Sequence, residues 1–77
     1  MRDGMTTLAQ QATARGALYA GTEHQGLFRS ADAGEHWIPW GLAGISIYAI
    51  VTDEMEAGIW VGTEMEIFKR ERYRWLV

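Results

Sequence analysis

Leu18-Tyr19-Ala20-Gly21-Thr22-Glu23 returns as Ile59-Trp60-Val61-Gly62-Thr63-Glu64. Both copies read aliphatic, aromatic, small apolar, glycine, threonine, glutamate, and residue 18 against residue 59 is an offset of 41. Past a one-residue deletion the match continues, with Leu27-Phe28-Arg29 against Ile67-Phe68-Lys69, and each copy then reaches a tryptophan, Trp37 and Trp75. Upstream, Thr7-Leu8-Ala9 falls against Tyr48-Ala49-Ile50. The chain divides near Gly41 into two units, 1–40 and 41–77.

A period of about 40 residues with several strands per unit is the length of one β-propeller blade, and it is also close to that of helical HEAT and armadillo repeats. Content decides between them. Segments 17–22, 26–30, 45–52, 59–63 and 66–70 are short, rich in β-branched and aromatic residues, and separated by glycine or polar turns. The two repeated segments are apolar on both alternating faces, as in strands covered on both sides. Gly21 and Gly62 within them point to close backbone approach. One stretch, 7–15 (TLAQQATAR), has good helix propensity and a threonine cap. Its alignment with the strand-like residues 47–51 favours a strand ending near Gln11. The expected fold class is all-β: two four-stranded antiparallel blades, with strands at about 5–11, 17–22, 26–30 and 36–39, and again at 45–52, 59–63, 66–70 and 73–77.

Composition agrees with a folded chain. Of the 77 residues, 48% are hydrophobic and 22% charged, which is outside the disordered range. At this length one core is marginal and needs a staple or a partner. Cysteine is absent, so the staple is not a disulfide. His24 and His36 are too few and too far apart in sequence for a closed metal site, and no metal or other cofactor is expected. The net charge of −3 gives no general reason to expect nucleic acid. The charge is uneven: Lys69, Arg70, Arg72 and Arg74 crowd the last nine residues against Glu71 alone. Arginines among aromatics can bind single strands, but charged residues on an exposed edge strand also deter aggregation, and the second reading is preferred. No secretory signal is visible at Met1-Arg2-Asp3-Gly4, and no run approaches the roughly 20 apolar residues that span a bilayer. Nothing assigns a compartment.

Ser30-Ala31-Asp32-Ala33-Gly34-Glu35-His36-Trp37 reads S-x-D-x-G-x-x-W. Serine and aspartate side chains bond backbone groups of a tight turn. Gly34 accommodates φ > 0, and Trp37 can fold over the hairpin. This stretch resembles the Asp box of the sialidase/BNR repeat, and the wider LYAGTEHQGLFRSADAGEHW is similar to the consensus of that repeat. The resemblance implies a β-propeller in which the box lies on the outer rim, remote from the central site. Ser30, Asp32, Gly34 and Trp37 are then structural. In the second copy the box is lost: Arg70-Glu71-Arg72-Tyr73-Arg74-Trp75 stands there, and only the tryptophan survives.

The same resemblance puts the connections around the central channel at Glu23-His24-Gln25, residues 40–44 and Glu64-Met65-Glu66. A small ligand such as a carbohydrate would bind there, at Glu23, His24, Trp40, Glu64 and Glu66. Glycosidases need two carboxylates about 5–9.5 Å apart, and these acids read more readily as solvated turn residues. No catalytic residue is assigned and no enzymatic activity is expected. The expected role is a structural or binding module, a propeller building block completed by self-assembly. Closure takes typically 4 to 8 blades, so three copies are favoured, with four the other option. The alternative is a fragment of a larger exported propeller, glycosidase-like or receptor-like, whose site lies elsewhere.

Overall fold

The computed structural model describes residues 6–13, 16–53, 58–71 and 75. Seven strands run through them: β1 (Thr7–Ala12), β2 (Leu18–Thr22), β3 (Leu27–Ser30), β4 (Ile38–Gly41), β5 (Ile47–Asp53), β6 (Gly58–Thr63) and β7 (Ile67–Arg70). They form two antiparallel sheets in sequence order, β1-β2-β3-β4 and β5-β6-β7, and no helix occurs among the described residues. Residues 7–12 are strand despite their helix propensity, because pairing with β2 from Thr7↔Thr22 to Ala12↔Leu18 outweighs it. Of the expected eighth strand, 73–77, only Trp75 is described; it makes an isolated antiparallel bridge to Arg70. Arg72, Tyr73 and Arg74 of the basic segment lie outside the described residues.

The repeated threonine-glutamate pair has a mechanical basis. Thr22 Oγ1 donates to the Gly26 carbonyl at 2.7 Å, and Thr63 Oγ1 donates to the Glu66 carbonyl at the same distance. Each hydroxyl also accepts backbone N–H bonds from the turn, from Gln25 in one copy and from Met65 and Glu66 in the other. Threonine thus closes the β2–β3 and β6–β7 hairpins by the same local bonding.

The core lies between the two sheets. Cross-strand pairing puts Tyr19, Gly21, Leu27 and Arg29 on one face of the first sheet. That face meets Ile47, Ile50, Ile59 and Val61 of the second sheet. Leu27, Ile47 and Val61 are at most 1% exposed. The closest approach is at Gly21: a Cβ built there would lie 2.5 Å from Ile47 Cβ and 2.4 Å from its Cγ2. The short link from β4 to β5 is tied to the same seam, because the Ile45 carbonyl accepts the Gly26 N–H at 2.9 Å.

The two repeated strands differ in cover. In β2, Ala20 and Thr22 are buried on one face and Gly21 on the other. In β6, Ile59 and Val61 are buried, while Trp60 is 41% exposed, and on the same face Val51 and Ile67 are 59% and 64% exposed. The expectation of two-sided burial fits the first copy; in the second, one face is open within this chain.

Gly21→Ala should therefore destabilise the protein by about 1–3 kcal/mol, the cost of overpacking against a β-branched neighbour that cannot rotate away. Urea denaturation measures it, and an unchanged midpoint would show that the sheets do not approach this closely.

Candidate functional site

Three groupings of polar and aromatic side chains gather the residues of interest. The first is the turn between β3 and β4. Ser30, at the end of β3, is 1% exposed. Its Oγ donates to Asp32 Oδ1 at 2.7 Å and accepts the backbone N–H groups of Asp32 and Gly34. Asp32 Oδ1 also accepts the His36 N–H at 2.8 Å, and Oδ2 lies 2.5 Å from His36 Nδ1. Ala33 and Gly34 have φ of 60° and 93°, so the turn takes two successive left-handed residues, of which only Gly34 is free of a Cβ. Trp37 reaches back to donate its indole N–H to the Gly34 carbonyl at 2.9 Å. Ser30, Asp32, Gly34 and Trp37 thus meet in one hydrogen-bonded turn.

The backbone bond from His36, then the bonds from Ser30 and the His36 side chain, lower the Asp32 pKa from 3.8 to about 2. Asp32, Glu35 and His36 could each offer an atom to a cation, all within 4.8 Å of one another, but all three are exposed. Both Asp32 oxygens are already engaged within the turn, and that bonding accounts for the cluster.

The second grouping sits where the β2–β3 turn meets the start of β5. His24, at φ 66°, donates its backbone N–H to Ser46 Oγ at 3.0 Å, and its Nδ1 lies 3.2 Å from the same oxygen. Ser46 N–H donates to Glu64 Oε1 at 3.3 Å, and Glu23 lies 4.0 Å from His24 Nε2. Of the expected ligand residues, Glu23, His24 and Glu64 therefore converge, across both repeats, around a serine that the sequence reading passed over. The order glutamate–histidine–serine has the makings of a nucleophilic relay. Ser46, however, is 0% exposed, and its oxygen already accepts a backbone bond. This hydroxyl pins the two turns together and has no open path to a substrate. Glu66 is exposed and joins the β6–β7 turn through its backbone.

Trp40 belongs to a third grouping. The Arg29 guanidinium carbon lies 5.1 Å from the centroid of a Trp40 ring and that of Arg70 4.0 Å. Arg29 also stands over Tyr19 at 5.9 Å and Arg70 over Trp75 at 5.4 Å. Arg70 donates from Nη1 to the Trp40 carbonyl. Burial, opposed by Tyr19 and aided by the neighbouring Arg29 charge, lowers the Arg70 pKa below the usual guanidinium range. Sequence reading treated Arg70 as edge charge and gave Arg29 no role. The available signal was an arginine standing inside the apolar strand Leu27–Ser30, where a solvated loop cation would not be placed.

No protein-family model matches the chain, and no curated protein or solved structure matches it.

The Asp32 geometry gives a prediction with a definite sign. A carboxylate whose folded pKa is depressed stabilises the fold above its unfolded pKa and loses that contribution as pH falls through the folded value. The thermal midpoint of Asp32→Ala should lie below wild type by a constant margin above about pH 5, and the margin should close between 3.8 and about 2. A pH-independent margin would show that the charge is not what holds the turn.

Proposed function

We propose that the chain is a non-enzymatic β-propeller building block, each repeat one blade, that self-assembles through the outer face of its second sheet. The observation that carries this reading is the unequal cover of two equivalent faces. Tyr19, Gly21, Leu27 and Arg29 of the first repeat correspond to Trp60, Gly62, Ile67 and Lys69 of the second. The first set is packed against the second sheet, with Ile47 against Gly21. The second set faces outward, and a Cβ on Gly62 would meet only Ala49, at 3.5 Å. Even the cation over the aromatic recurs, Lys69 over Trp60 at 4.8 Å as Arg29 over Tyr19.

A sheet face with Val51, Trp60 and Ile67 open to water marks an association site. Its chemistry suits what covers the equivalent face of the first repeat, namely a further sheet of the same kind. The occupant is a second copy of this chain. Successive head-to-tail contacts of that type close into a ring when the rotation allows. Three copies, giving six blades, leave a less crowded centre than two. The turn at residues 30–37, with its S-x-D-x-G-x-x-W spacing and its internal bonding, supports the likeness to the Asp-box repeat and takes the part of a rim clamp.

Sedimentation equilibrium at micromolar concentration should give three, or otherwise four, times 8.7 kDa. The double variant Trp60→Lys, Ile67→Lys should sediment as a single chain with its far-ultraviolet β signal retained, since both positions lie on the exposed face. A well-folded wild-type monomer would overturn self-assembly, and a double variant of undiminished mass would move the interface elsewhere.

A further inference from the structure

Arg29 on β3 and Arg70 on β7 lie on different repeats, 41 residues apart, and both stand over the indole of Trp40 at the seam between the sheets. A guanidinium carries five N–H donors and no acceptor. Arg29 makes one long hydrogen bond, Nε to Tyr19 Oη at 3.4 Å, and Arg70 makes one, Nη1 to the Trp40 carbonyl. Arg70 Nε is shut off from water and has no acceptor. Among the described residues, no carboxylate pairs with either arginine.

This arrangement is costly as it stands. A partly desolvated cation is stable when paired, and a buried donor left without an acceptor loses its hydration with no return. Two like charges beside one indole add repulsion. Stacking on Trp40, Tyr19 and Trp75 offsets part of the cost, at the ring faces, and leaves the terminal Nη1–Nη2 fork of Arg29 and Nη2 of Arg70 without acceptors among the described residues. The Arg29 fork matches the oxygens of phosphate and carboxylate groups in bidentate geometry, and Arg70 Nη2 adds a further charged donor. Two cations with no paired carboxylate among the described residues favour a doubly charged group over a singly charged one. Both arginines remain partly exposed, so the site has an open side. The chain as a whole is negative by three charges, which disfavours a polyanion and selects a small one.

We propose that Arg29 and Arg70, held by Trp40 at the seam of the two sheets, form a binding site for a small dianionic oxyanion of the phosphate-monoester class. The site is separate from the outer face of the second sheet and does not depend on self-assembly. Its aromatic walls orient the guanidiniums, and the anion supplies the charge that no described carboxylate provides.

The test is a titration with inorganic phosphate, then sulfate, against chloride at matched ionic strength, followed through the arginine Nε–H and tryptophan indole N–H resonances. Saturable shifts at Arg29, Arg70 and Trp40 are expected. Arg29→Gln and Arg70→Gln should each weaken binding by about tenfold or more, since a charge-assisted fork is lost. If Arg70→Gln fails to fold, Arg29→Gln carries the test, because its own hydrogen bond is the long one. Shifts that rise linearly without saturating, or that persist unchanged in Arg29→Gln, would overturn the proposal. Acetate binding as tightly as phosphate would overturn the preference for a dianion. A thymidine oligonucleotide binding more tightly than phosphate would overturn the small-molecule assignment.

Discussion

The seating of Ile47 against Gly21 is the contact on which the rest of the structure depends. A side chain at position 21 would collide with a β-branched residue at 2.4 Å, so only the absence of a Cβ lets the second sheet approach the first. That approach buries Leu27, Ile47, Ile50, Ile59 and Val61 in one layer. It also brings Ser46 within reach of His24 and Trp40 within reach of Arg70. In a chain of 77 residues without disulfides, this layer between two sheets is the main cluster of buried apolar side chains, and small folds of this size are marginal on such a core.

The same reasoning explains why the two repeats, so alike in sequence, are unlike in environment. Each carries an aromatic, a glycine, an aliphatic and a cation on one face. In the first repeat this face is filled by the second sheet; in the second repeat, Val51, Trp60 and Ile67 on that face are open to water. A repeat whose stability comes from its neighbour needs another neighbour at the end of the array. The proposed assembly follows from that asymmetry. The turn at residues 30–37 does different work: its bonds are local, among Ser30, Asp32, Gly34, His36 and Trp37, and they shape the hairpin between β3 and β4 without reaching the second sheet.

Polar groups at the seam divide by whether their needs are met inside the protein. Ser46 is buried and fully engaged, its oxygen shared by the His24 backbone and ring and its N–H given to Glu64. Buried polar groups that are satisfied rigidify a structure. Arg70 is the opposite case: its Nη1 is bonded to the Trp40 carbonyl, but its buried Nε has no acceptor. A buried donor without an acceptor is rare in folded proteins and calls for a partner, which the proposed anion site addresses.

Much of this was legible in the sequence because it depends on near neighbours along the chain. The 41-residue offset, the alternation in Leu18–Thr22 and the S-x-D-x-G-x-x-W spacing are local patterns, and the strands and the turn that they indicate are local structures. The convergence of Glu23 and His24 with Glu64 was readable for the same reason, since equivalent turns of adjacent repeats lie side by side. Trp40 stands apart from them, beside Arg29 and Arg70, and Ser46 and Arg70 were missed as partners because their contacts with His24 and Trp40 cross from one sheet to the other. Alternation tells which residues share a face, but not what covers that face. The bulges between Thr7 and Ala9 and between Ile47 and Ala49 shift the register of both leading strands, and the link through Leu42 and Gly44, both at positive φ, aims the second sheet. Sequence alone thus determined the repeats, their strands and their turns, which rest on bonds a few residues long. Only the tertiary structure decided which of the two like faces is covered and which cations meet, because both depend on how the two sheets come to rest on one another through contacts such as Gly21 with Ile47 and Trp40 with Arg70.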